Sequence, residues 1–403
     1  MGNKISSPLC VTANNQSVYL VAYDKDKTDG NLVLLRSNPF PTSLKSAKWE
    51  LLAQKPAKEV FDNAHWNPNG YKCAASNDGT FMILAMASSG TGEYQYYEGA
   101  VADTSSNGWE VVKFGASICL WVEPCEGHLL ATPAGSSASF MLVVQRLNMG
   151  AIATGTNRTL NFLTYKTGTN LLMEHPTDFD FQRSSNRGDN FEFLGNQFVH
   201  LSFALAGEGN TTNYSNTTIT SRLFDLDAQG LPNPTLQVSN AALTNLQCAL
   251  DSRGTLSGTS NGVLYFNLSY DRHRQERTLY SWDGHGALNK MQNFKSISHE
   301  QYSFTPVPAS EGNASWFVIL AEHKQNEVGL FGLEMSLPEK GFWQSVKPAE
   351  VSAKGLSSAL STGGHCWHCR WISGPCGHCR LCCPSLAPSS QEQELQYGDV
   401  QYR

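Results

Sequence analysis

The chain has 403 residues, of which only 16% are charged, and its net charge of −6 is thinly spread. No Lys/Arg cluster interleaves with aromatic residues, so a nucleic-acid partner is excluded as an expectation. Length alone suggests two or three domains, but an internal repeat replaces that count with one architecture.

At the N-terminus, Met1-Gly2-Asn3-Lys4-Ile5-Ser6 matches a myristoylation pattern with Gly2 as acceptor. The given sequence carries no apolar stretch there that could serve as a signal peptide. The alternative is a true start upstream of Met1.

The first predicted strand begins at Val18, and similar apolar strands follow at Phe81, Phe140, Phe198, Leu256 and Trp316, about sixty residues apart. Each is preceded by a polar turn. Cys10, Cys73 and Cys248 each stand eight residues before such an onset, and Trp49, Trp109 and Trp343 recur about thirty residues after one. The strands are short, β-branched or aromatic, and bounded by Gly, Asn, Asp and Ser. Asp29-Gly30, Asn261-Gly262 and Asp283-Gly284 read as hairpin turns. Ser257 to Gly262 interrupts the fifth strand, which reads as shifted or bulged. A sixty-residue unit holds four strands, the size of a propeller blade. The expected fold class is therefore all-β: a six-bladed β-propeller over residues 8–350, followed by a disordered Cys-rich tail over 351–403. Ser7 to Ala13 is expected to pair with strands near Phe342 to Val351 and close the ring.

Packed sheets lie about 10 Å apart, more than a disulfide spans, so Cys10, Cys73 and Cys248 read as buried small hydrophobes. Cys119 and Cys125, five residues apart in between, are the disulfide candidate in an oxidising compartment. Seven Asn-x-Ser/Thr sequons, at Asn15, Asn157, Asn210, Asn213, Asn216, Asn267 and Asn313, are N-glycosylation candidates.

Candidate chemistry is sparse. Asp225 with Asp227, and Asp178 with Asp180, would share a face on a strand, as a cation site or glycosidase pair would require. Arg187-Gly188-Asp189 and the acidic Asp24 to Gly30 turn read as solvated loops. The propeller-region histidines show no pairing with a nucleophile and an acid. Trp66, Trp282, Tyr94, Tyr96 and Tyr97 are the ligand-binding candidates, as loop aromatics able to stack on sugar rings, whereas the recurring Trp49, Trp109 and Trp343 are expected to be structural.

In the tail, Cys366, Cys369, Cys376 and Cys379 form two CxxC pairs only six residues apart. They are a zinc candidate, and no other cofactor is expected. A second reading takes residues 363–384 as a transmembrane anchor translated out of frame, since a one-base shift turns the run into small apolar residues. A third is an unstructured Cys-rich segment.

Ser76-Asn77-Asp78-Gly79-Thr80-Phe81 resembles the Asp-box turn of sialidase-type propellers, where it is structural. As a whole the chain resembles secreted or cell-surface propellers of the kelch and galactose-oxidase type, including fungal surface proteins. The resemblance rests on architecture over residues 8–350. It implies an extracellular, membrane-anchored glycoprotein binding a carbohydrate or protein ligand on a propeller face. A glycan-acting enzyme and a myristoylated intracellular scaffold are the competing readings.

Overall fold

The computed structural model describes residues 7–24, 30–37, 47–61, 71–88, 94–102, 108–113, 119–120, 127–147, 157–169, 171–182, 189–206, 216–246, 256–260, 262–271, 276–285, 288–295, 301–307, 316–324, 327–334 and 343–346. The chain divides into two units, Met1–Ala359 and Leu360–Arg403, and every described residue belongs to the first.

Each of the six sheets is built from four consecutive antiparallel strands, and blade two gains a fifth, Cys119–Leu120, paired with Tyr94–Ala102. The first strands of the blades are Ser7–Ala13, Tyr71–Ala75, Gly127–Ala131, Asp189–Leu194, Leu256–Ser260 and Gln301–Val307. These six form a ring in which each neighbours the first strands of the blades beside it, and the sixth neighbours the first. The architecture is the expected six-bladed β-propeller.

The alternation of side chains explains why this sequence makes blades. A central blade strand is covered on both faces, so it reads as an unbroken apolar run. In Phe81–Ser88, Phe81, Ile83 and Ala85 enter the core between blades one and two, whereas Met82 and Leu84 enter the core between blades two and three. Successive side chains thus serve successive interfaces. Six apolar clusters result, one at each blade junction. Each fully buried side chain contributes roughly 1.5–3 kcal/mol. Trp49, Trp109 and Trp343 each open the outermost strand of a blade. Trp49 and Trp109 are buried, and the Trp109 indole donates to the Leu32 carbonyl of blade one at 3.3 Å.

Three expectations are corrected. Among the described residues Ser7–Ala13 pairs with Val18–Asp24 and with no strand of the last blade, so all four strands of blade one are contiguous. The ring closes instead through side chains: Val11, Val18 and Leu20 pack with Val307, Trp316 and Val318. Second, Leu256–Ser260 is the first strand of blade five and pairs antiparallel with the second, Val263–Asp271, Ser260 opposite Val263. Leu256 is therefore not equivalent to Phe81, and Cys248, outside the described residues, loses its equivalence to Cys73. Third, Cys10 and Cys73 are paired as a disulfide, with Cα atoms 6.2 Å apart. The 10 Å spacing describes sheets packed face to face, whereas first strands converge around the axis and come within bonding range.

Candidate functional site

The ring of first strands encloses an axial channel with two chambers, of about 260 Å³ and 220 Å³. Six residues line both: Ala13, Ala75, Ala131, Phe193, Thr259 and Pro306. Each blade supplies one, so they form a collar where the chambers meet.

On one side of the collar lies a mouth chamber framed by turns that join first to second strands. Asn14, Asn15, Asn77, Thr132 and Ser260 line it, together with Gly195 and Gly262, and among the described residues no ionisable side chain does. The turns are internally braced. Asn14 Oδ1 accepts the Gln16 and Ser17 amides, both at 2.9 Å, while its Nδ2 donates to the Ser76 carbonyl of blade two at 2.8 Å. The Asn15 amide donates to Asn77 Oδ1 at 3.4 Å, a second tie between these two tips.

In the blade-two turn, Ser76 Oγ donates to Asp78 Oδ1 and the Thr80 amide donates to the same oxygen at 2.9 Å. Gly79 takes φ 91°, which the turn requires. Burial alone would raise the Asp78 pKa, but the hydrogen bonds from Ser76 and Thr80 outweigh it and hold the carboxyl below 3.8. The Asp-box-like motif is thus a structural turn, as its sequence suggests.

On the other side of the collar, the larger chamber is lined by Lys72, His128, Asn190, Glu192 and Ser303, with Cys10 and Cys73 in its wall. Tyr71 also faces it, and burial, reinforced by Glu98, pushes its phenol pKa well up. His128 meets the Phe191 ring edge-on at 5.1 Å, and buried His200 stacks on Phe191 at 5.0 Å. These histidines are part of the aromatic packing.

Several sequence candidates fall elsewhere. Trp282 is not a loop aromatic: it is 4% exposed and packs with Leu201, Leu223 and Phe266 between blades four and five. It ends a strand, and its large apolar surface is drawn into the junction before the Asp283-Gly284 turn. Asp225 and Asp227 do not act as a pair. Asp225 Oδ1 accepts from Gln197 Nε2 at 3.0 Å, whereas Asp227 has left the strand and caps its own turn through the Gln229 and Leu231 amides at 2.8 and 2.9 Å.

Tyr94, Tyr96 and Tyr97 lie on the third strand of blade two, with their side chains outside the described residues. Asn15 is exposed at the chamber rim. Asn157, Asn216 and Asn267 lie on strands, and only their backbone is described. Cys119 is likewise described only as backbone. Trp66, Cys125, Asn210, Asn213, Asn313, Gly2, Cys366, Cys369, Cys376 and Cys379 lie outside the described residues. Among the described residues no group of three or more His, Cys, Asp or Glu could hold a metal ion, and no helix is long and apolar enough to cross a membrane.

The channel residues carried a partial signal in the sequence. The polar turns before each second strand are visible, but which of their side chains face the axis depends on blade closure.

No protein-family model matches the chain, and no curated protein matches it. The expected kelch or galactose-oxidase type is therefore not supported by a family match. Solved structures do resemble it. The Penicillium chrysogenum α-L-arabinanase complexed with arabinobiose has a TM-score of 0.50 at 12% identity, covering 83% of this chain and 98% of that one. The α-L-arabinofuranosidase of Fusarium graminearum gives 0.49 at 10% identity, over 83% and 94%. The six-bladed fungal lectin of Aleuria aurantia gives 0.45 at 9% identity, over 86% and 96%. At such identities the likeness is one of fold, that of an all-β propeller.

Proposed function

We propose that this protein is a non-catalytic, carbohydrate-binding propeller displayed outside the cell, with the mouth of the axial channel as its binding face. One observation carries the reading: six blades converge on a chamber whose described lining includes amides, hydroxyls and glycine backbone and, among the described residues, no ionisable side chain. Such a lining offers hydrogen bonds to neutral hydroxyl groups without desolvating a charge. The arabinanase that shares the fold was determined with arabinobiose, which makes neutral sugars the first ligand class to test.

Retaining and inverting glycosidases need two carboxyl groups flanking the scissile bond. Among the described residues lining the two chambers, Glu192 is the one carboxylate. Binding without turnover is the better reading. An extracellular site is supported by the Cys10–Cys73 pair, since disulfides persist in oxidising compartments. Attachment through the C-terminal region belongs to the same proposal. A myristoylated intracellular scaffold fits the disulfide poorly.

The test is a glycan array probed with the purified protein, paired with a reducing-end assay on every glycan that binds. Binding without released reducing ends is expected. Release of reducing ends would make the protein a glycosidase.

A further inference from the structure

Adjacent side chains of Ser7–Ala13 serve different blade junctions, as the alternation along a strand allows. Cys10 lies in the core between blades one and two and is bonded to Cys73, whereas Val11 lies in the core between blades six and one. The Val11 carbonyl also accepts the Thr305 hydroxyl of blade six at 3.1 Å. Just past the strand, Asn14 Nδ2 reaches the Ser76 carbonyl of blade two. One strand therefore takes part in both junctions of blade one.

Those two junctions are held differently. Between blades one and two, as between every later pair, the chain itself runs from an outermost strand to the next first strand. The junction of blades six and one has no such crossing, and among the described residues no strand pairing spans it. Its grip on blade one passes in part through Val11, one residue from the disulfide.

The disulfide is also open to a reagent in the channel. Cys10 and Cys73 both line the larger chamber. Cys10 is 4% exposed, and Cys73 is the more exposed of the two.

We propose that Ser7–Ala13 is a redox-controlled strap: the Cys10–Cys73 disulfide locks it in the channel wall, and reduction of that bond by a small thiol loosens the junction of blades six and one. The step is thiol–disulfide exchange. A thiolate of the reductant attacks the Cys73 sulfur, the Cys10–Cys73 bond breaks, and Cys10 leaves as a thiolate that takes up a proton. A second thiol of the reductant displaces Cys73 from the mixed disulfide. The reductant departs as its own disulfide, and the protein has gained two electrons and two protons as two thiols. Ser7–Ala13 then keeps its ladder to Val18–Asp24 and loses its covalent tie to blade two, and its local opening is passed through Val11 to blade six. Because the strand supplies Ala13 to the collar, the strap sets the channel wall whatever ligand the channel takes.

The experiment is hydrogen–deuterium exchange of the full chain under native conditions, before and after dithiothreitol, with alkylation verifying that Cys10 and Cys73 have become free thiols. Reduction is expected to speed exchange at least about tenfold in Ser7–Ala13 and Gln301–Val307, and to leave Asp189–Leu194, across the ring, unchanged. The Cys10→Ser/Cys73→Ser variant should exchange like reduced wild type at both strands and show no response to dithiothreitol there. Reduction is carried out on folded wild type, so the test stands even where the variant does not fold.

Faster exchange confined to Ser7–Ala13 overturns the coupling to blade six. Equal acceleration in all six blades makes the bond a global stabiliser and overturns the strap. A disulfide that dithiothreitol opens only in denaturant overturns control through the channel.

Discussion

Thr305 of the last blade donates its hydroxyl to the Val11 carbonyl of the first at 3.1 Å, joining residues 294 positions apart. Both lie on first strands, at the junction where the ring closes without a shared sheet. The other contribution there is apolar, centred on Trp316, which is 1% exposed.

The closure is expected to depend on both. Thr305→Val keeps the shape and leaves the Val11 carbonyl without this donor, for a loss of about 1 kcal/mol. Trp316→Ala removes a large side chain from the junction, for about 3–5 kcal/mol. Urea unfolding followed by fluorescence and circular dichroism would rank them. Equal, negligible effects would show that the ring is held elsewhere.

The Cys10–Cys73 pair closes a loop of 63 residues and fixes the N-terminal strand in the channel wall. Chain entropy alone assigns it about 4 kcal/mol. The Cys10→Ser/Cys73→Ser variant is expected to show a clear drop in denaturant midpoint, and reductant should lower wild type toward it. Wild type unaffected by reductant that has demonstrably opened the bond would contradict this.

The blade pattern was legible because both faces of a central strand are buried, so runs such as Phe81-Met82-Ile83-Leu84 stand out in the sequence. Repeated Trp49 and Trp109 were legible for the same reason, as fixed positions against a neighbouring blade. Blade five was misregistered because Leu256 looks like the onset of a second strand, although the Asn261-Gly262 turn was visible beside it. The Cys10–Cys73 pair is not legible in the sequence, because the spacing of packed sheet faces does not hold for strands that converge on an axis. Trp282 was misplaced because a flanking Asp-Gly turn gives no sign of how deeply a strand end is buried. Ser260 had no distinguishing signal: Ser257-Gly258-Thr259-Ser260 reads as loop until strand pairing places it beside the collar.

Asp78 gives the blade-two turn a pH dependence with a definite sign. Its folded pKa lies below 3.8, the unperturbed value, so its charge stabilises the fold above that value. The contribution is lost as pH falls through the folded pKa. Asp78→Asn is expected to be less stable than wild type above about pH 5 and to converge with it in stronger acid. Thermal unfolding of both proteins from neutral to strongly acidic pH would show the gap closing. A gap that persists unchanged in strong acid would assign the difference to packing.

Trp282 separates structure from recognition. Trp282→Ala is expected to cost about 3–5 kcal/mol, whereas Trp282→Phe, which keeps an aromatic ring in the junction, should bind glycans as wild type does. Measuring array binding and unfolding on both variants checks this. A stable Trp282→Phe protein that no longer binds would return Trp282 to the binding site.

The central claim is that ligand enters at the face where first strands turn into second strands. It is tested most directly by hydrogen–deuterium exchange, with and without the neutral glycan giving the strongest array signal. Slowed exchange is predicted at Asn14 to Ser17, Ser76 to Thr80 and Ser260 to Val263, with outer strands such as Trp49–Pro56 unchanged. Protection confined to the outer strands, with those three turns exchanging as in the free protein, would contradict the account.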